Sequence, residues 1–143
     1  MIKENKGQVS LEYLLIFAIS IIILTAFTLP LTEFALEKTL DTSNTLNAKG
    51  ELSKLSNAIT QVYGEGQGSR QTLHLTLDES INVKVTSSYL STSYIMKDGT
   101  KKQLKLDHES NLNSGSLFLD KGENKIIVEW PIDKAQMTIY KKY

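Results

Sequence analysis

The chain is 143 residues long, with 16 basic and 16 acidic side chains and no cysteine. That length holds one domain with a modest core beside whatever its N-terminus does, and the balanced charge offers no electrostatic footprint for nucleic acid. The missing thiols exclude disulfides, thiolate zinc sites and cysteine nucleophiles, so stability must come from packing or assembly.

The first element is apolar. Tyr13 to Thr32 runs for 20 residues without a charge, and at about 1.5 Å per residue it spans the roughly 30 Å of a bilayer's hydrocarbon core. Lys3 and Lys6 precede it and Glu33 and Glu37 follow it, so the positive-inside bias puts the N-terminus in the cytoplasm and the bulk of the chain outside. Pro30 lies near the far end, where it frees a backbone carbonyl and predicts a mild bend. The near edge carries an acid, Glu12. A carboxylate at helix depth in lipid is disfavoured by about 3 kcal/mol on insertion scales, and so asks for a partner.

The order of residues at this seam is wrong for a secretory signal, whose small-residue cleavage site follows the apolar stretch. Here the small residue, Gly7, comes before it. The segment Gln8-Val9-Ser10-Leu11-Glu12-Tyr13 and the aliphatic run behind it resemble the Gln-x-Ser-x-Glu start of archaeal type IV pilin-like proteins with a class III signal peptide. The resemblance covers about the first 30 residues. It implies a leader, residues 1–7, removed by a prepilin peptidase at the Gly7/Gln8 bond, with Gln8, Ser10 and Glu12 as the processing and assembly motif. It also implies temporary membrane residence, then a homo-oligomeric filament built with an assembly ATPase and a membrane platform, at the cell surface and adhesive in role. Hydropathy by itself leaves open an uncleaved single-span anchor carrying a binding domain, and the leader does not separate a major from a minor pilin.

Beyond Thr32 the helix acquires a face. Leu36, Leu40, Leu52, Leu55, Ile59 and Val62 recur at three, four or multiples of four residues, the stripe of a helix that packs on something. One helix over 8–63 is expected, with 8–32 as membrane or filament core and 33–63 amphipathic. Its weakest stretch is Asp41 to Asn47, whose short polar side chains compete for the backbone and suggest a joint that bends or melts locally. The helix should end at Gly64-Glu65-Gly66-Gln67-Gly68-Ser69, within a glycine-rich loop over 64–70. That loop is no phosphate cradle, having neither a strand before it nor a Lys-Ser or Lys-Thr after it.

From Gln71 the period changes to two. Leu73, Leu75 and Leu77, then Ile81, Val83 and Val85, alternate with polar residues and predict two half-buried strands. Tyr89–Lys97 and Thr100–Leu106 flank Asp98-Gly99, a hairpin turn. A second hairpin is expected between Leu117–Asp120 and Lys125–Trp130, with a last short strand at Met137–Tyr140 after the break at Pro131. The fold class is α+β: a long N-terminal hydrophobic helix whose C-terminal half packs on one face of a small antiparallel sheet of five to seven strands, the sheet domain occupying 71–143.

Within that domain no catalytic, metal or cofactor constellation emerges. His74 and His108 are single and far apart, without ligand spacing, and both are read as surface residues. Asp107 and Glu109, one residue apart, would share a face if on one strand and hold a cation weakly at best. The hydroxyl-rich segment Thr86–Tyr94 admits a contact patch or O-glycan acceptor, though its residues are simply good strand formers. No Asn-x-Ser/Thr sequon is present, so no N-linked glycan is expected. Trp130 is read as a buried core residue.

Overall fold

The computed structural model describes residues 4–96 and 99–143, with side chains from residue 10 onward. One α-helix, α1 (Glu4–Glu65), is followed by seven strands: β1 (Arg70–Leu77), β2 (Ile81–Val85), β3 (Tyr89–Ile95), β4 (Lys101–Asp107), β5 (Gly115–Leu119), β6 (Gly122–Glu129) and β7 (Thr138–Lys142). The class is α+β, a long apolar helix packing on antiparallel sheets. The chain divides into two compact units, Met1–Leu40 and Asp41–Tyr143.

Among its described residues the first unit is helix alone. Its large apolar side chains are exposed all round, from Leu11 through Ile16, Phe17, Ile22 and Phe27 to Leu31. The helix runs unbroken through Pro30. Leu36 and Leu40, expected in the packed stripe, are 63% and 45% exposed. The buried stripe begins later.

In the second unit, Ala48, Leu52, Leu55, Ile59 and Val62 form that stripe, joined by strand residues including Leu75, Leu77, Val83, Val85, Leu90, Leu119, Ile126 and Val128. Steps of four and three residues keep the five on one side of the helix. The polar stretch 41–47 is helical without interruption, and its polar side chains have a use. Asn44 Nδ2 donates to Glu79 Oε1 at 2.9 Å and the Thr76 amide donates to Glu51 Oε2 at 3.2 Å, so the helix is tied to the end of β1 and the turn after it. Further along, Ser56 Oγ donates to the Asp107 carbonyl at 2.9 Å.

Two sheets stand where a single one was expected: three strands in the order β1-β6-β7 and four in the order β4-β3-β2-β5. The β3–β4 hairpin forms as read, from Tyr89↔Asp107 to Ile95↔Lys101. Gly99 takes φ +81° at its turn, a conformation glycine adopts without strain; Asp98 lies outside the described residues. The predicted hairpin of β5 with β6 does not form. β5 pairs with β2 and β6 with β1 and β7, so the short link between them passes from one sheet to the other. Asn124, fully buried, holds that link: its amide donates to the carbonyls of Asp120 (2.7 Å) and Gly122 (3.1 Å) and its Oδ1 accepts from the Asp120 amide at 2.9 Å. Local closure by one side chain thus replaces the hairpin ladder.

Candidate functional site

The motif named from sequence lies in the exposed unit. Ser10 and Glu12 sit on α1 with exposed side chains. Gly7 and Gln8 belong to the same helix by backbone, while the Gln8 side chain lies outside the described residues. Among the described residues the Glu12 carboxylate has no hydrogen-bond or ion-pair partner. It is an acid at the start of an apolar cylinder, with nothing among the described residues to neutralise it.

The cylinder behind it is prepared for an apolar medium in a way the sequence reading did not anticipate. Ser20 Oγ donates to the Ile16 carbonyl at 2.7 Å, Thr25 Oγ1 to Ile21 at 2.9 Å, Thr28 Oγ1 to Leu24 at 2.6 Å and Thr32 Oγ1 to Leu29 at 2.8 Å. Each hydroxyl therefore satisfies its proton on its own helix. An unsatisfied hydroxyl in hydrocarbon would cost several kcal/mol, on the order of 4. The signal was available in the sequence, as small hydroxyl residues scattered through an aliphatic run. By length and composition this is a helix able to cross a membrane, with none of its apolar span buried within the chain.

The two histidines part company. His74 is exposed, as read, and its Nδ1 lies 2.6 Å from Glu123 Oε1. His108 is only 7% exposed, contrary to the surface position read from its charged neighbours. The cause is local: the His108 amide donates to the Ser88 carbonyl at 2.9 Å and the Ser110 amide to Ser87 at 3.1 Å, which folds this segment against the link between β2 and β3. Both ring nitrogens are buried without a hydrogen-bond partner. Burial lowers the His108 pKa, opposed by the nearby Asp107 charge. Strand β4 ends at Asp107, so Asp107 and Glu109 do not share a strand face. Among the described residues no cluster of acids and histidines has the makings of a metal site. Trp130, expected in the core, is half-buried; its ring stacks on Tyr63 with centroids 5.7 Å apart, and its Nε1 donates to the Lys134 carbonyl at 3.0 Å.

Comparison with known families places one segment. Residues 5–31 match the family model for the class III signal peptide, the hallmark of archaeal type IV pilin-like proteins. The match brackets Gly7, Gln8, Ser10, Glu12 and most of the apolar run. No curated protein and no solved structure matches the chain.

Proposed function

We propose that this chain is a structural subunit, not an enzyme, of an archaeal type IV-like pilus. A prepilin peptidase cuts before Gln8, the apolar helix holds the mature subunit in the cytoplasmic membrane, and an assembly ATPase with its membrane platform then moves the helix into a filament core. The sheet domains stand outside and serve surface adhesion. The observation that carries this reading is the class III signal peptide over residues 5–31, on a helical span whose apolar side chains from Leu11 to Leu31 are exposed on every side.

The chemistry of assembly follows from Glu12. In lipid its lone carboxylate costs about 3 kcal/mol, and the described side chains of its own helix offer it no cation. Cleavage at Gly7/Gln8 creates one, the Gln8 amine. A charge-assisted hydrogen bond between the Glu12 carboxylate of one subunit and the Gln8 amine of its neighbour compensates part of the desolvation of both. Removing either member leaves the other buried and uncompensated. Processing is thereby linked to assembly, since in the uncut chain the Gln8 nitrogen is an uncharged amide.

N-terminal sequencing of surface-derived protein is the first test: Gln8 as the first residue supports the reading, and Met1 supports the uncleaved anchor instead. Glu12→Ala should leave cleaved protein in the membrane and abolish filaments seen by electron microscopy; abundant normal filaments from that variant overturn the mechanism. A minor pilin shares the leader and the helix, and the yield of the chain in sheared filament fractions separates it from a major one.

A further inference from the structure

The outer face of the four-stranded sheet holds a depression of about 310 Å³, at the small end of the roughly 300–1,000 Å³ typical of ligand sites. Strand register builds it. One row across the sheet reads Lys105, Ser91, Lys84, Ser116, and beyond it Gln103 pairs with Ser93 and Asn82 with Phe118. Inward-facing neighbours such as Val83, Val85 and Leu90 fill the core on the other side. The centre is low because Ser91 and Ser93 are small while Lys84 and Gln103 stand beside them.

Ser91 is the floor. It lines the depression and is only 6% exposed, yet its hydroxyl makes no hydrogen bond within the described residues. That hydroxyl is not one of the buried polar atoms left without a partner, which are the His108 ring nitrogens; it opens onto the depression, where it can donate to and accept from a guest. Around it, the side chains of Asn82, Ser93, Gln103 and Ser116 are likewise uncommitted. Amides and hydroxyls both donate and accept. Sugar hydroxyls do the same, so the rim matches a polyhydroxylated ligand better than one that only accepts.

A phosphate-type site is disfavoured by the backbone. Such sites use free N–H groups or clustered cations, and β2 and β3 are interior strands whose amides are taken up by the sheet ladder. Lys105 is already paired with Asp107 at 3.2 Å and lies 4.6 Å from the Tyr89 ring centroid. Lys84 alone among the lining residues offers an ammonium with no ion pair. Phe118, exposed beside Asn82, supplies an apolar ring for the C–H face of a pyranose, positive hydrogens meeting the ring's negative face.

We propose that this depression binds a saccharide unit bearing a single carboxylate, a uronate of an acidic polysaccharide, with Ser91 at the floor and Lys84 on the carboxylate. The inference deepens the adhesive role proposed above, but the measurement needs no filament. Failure to bind leaves assembly standing, and failure to assemble leaves binding measurable.

The test is calorimetric titration of the full chain in detergent micelles with oligogalacturonate, maltopentaose and inorganic phosphate. Saturable binding of oligogalacturonate is expected, weakened at least tenfold by Ser91→Val, retained within about twofold by Ser91→Thr, and weakened about fivefold by Lys84→Gln while any maltopentaose binding stays unchanged. If Ser91→Val does not fold, Asn82→Ala and Gln103→Ala at exposed rim positions carry the same test, each with at least a threefold loss expected. Absence of saturable binding, affinity indifferent to all of these variants, or displacement by equimolar phosphate would each overturn the proposal, leaving only a water beneath Ser91.

Discussion

Residues up to Leu40 and residues from Asp41 on put the same side chains to opposite uses. In the first unit leucine, isoleucine and phenylalanine face outward while hydroxyls turn back onto the helix. In the second, leucine and valine are buried and polar side chains reach across to other elements. The first arrangement is stable only in apolar surroundings, since exposed aliphatic surface in water is unfavourable by about 25 cal/mol per Å². The second carries its own surroundings. One helix serves both because helical hydrogen bonding is indifferent to what covers the side chains, and only the distribution of apolar residues around the axis changes.

The comparison breaks most sharply at the buried stripe. Leu55→Ala should destabilise the sheet domain by about 3 kcal/mol, within the range of leucine-to-alanine cavities, whereas Leu24→Ala should leave the denaturant midpoint of the same domain unchanged. Unfolding of the full chain in micelles, followed by Trp130 fluorescence, reads both; equal effects would erase the distinction. Next comes Asn124→Ala, which removes the side chain that bonds the Asp120 amide and the Asp120 and Gly122 carbonyls and should cost about 2 kcal/mol. Tyr63→Ala removes the stack on Trp130 and should cost about 1 kcal/mol beyond lost area, with an altered Trp130 emission maximum.

The smallest effect at neutral pH belongs to His108. Its folded pKa is lowered by burial, so as pH falls below the unfolded value, near 6.5, the unfolded state binds protons that the folded state does not, and stability declines through that window until the folded group also titrates. Chemical denaturation between pH 7.5 and 5 should show this loss in the sheet domain, and His108→Leu should flatten it. An unchanged slope in that variant would assign the acid sensitivity elsewhere.

How much of this was readable depended on whether a residue's surroundings come from its own chain segment. Alternation in Leu73–Leu77 and Ile81–Val85 reports a half-buried strand directly, and Gln8-Val9-Ser10-Leu11-Glu12 is contiguous, so strands and seam were both legible. Pairing partners were less so. A four-residue polar interval at 121–124 looks like a hairpin turn, and only the Asn124 contacts reveal a passage between sheets. Buried polar groups were hidden altogether, because pattern reading assigns His108, Asn124 and Ser91 to solvent by type. His108 is covered where its segment folds against the Ser87–Ser88 link, Asn124 closes on Asp120 and Gly122, and Ser91 is flanked by Lys84 and Lys105 on the neighbouring strands. Leu36 and Leu40 failed in the opposite sense: their spacing continues the stripe, yet burial starts only at Ala48.

The four hydroxyls between Ser20 and Thr32 have a consequence for motion. With each proton already engaged on its own helix, that stretch presents neighbours with neither donors nor sockets, only a smooth aliphatic barrel. Such a barrel can turn about its axis or slide along another without breaking a single polar bond. In the assembly proposed above, exchange of lipid for protein neighbours would then meet little friction, and the stopping point would be set by the carboxylate of Glu12.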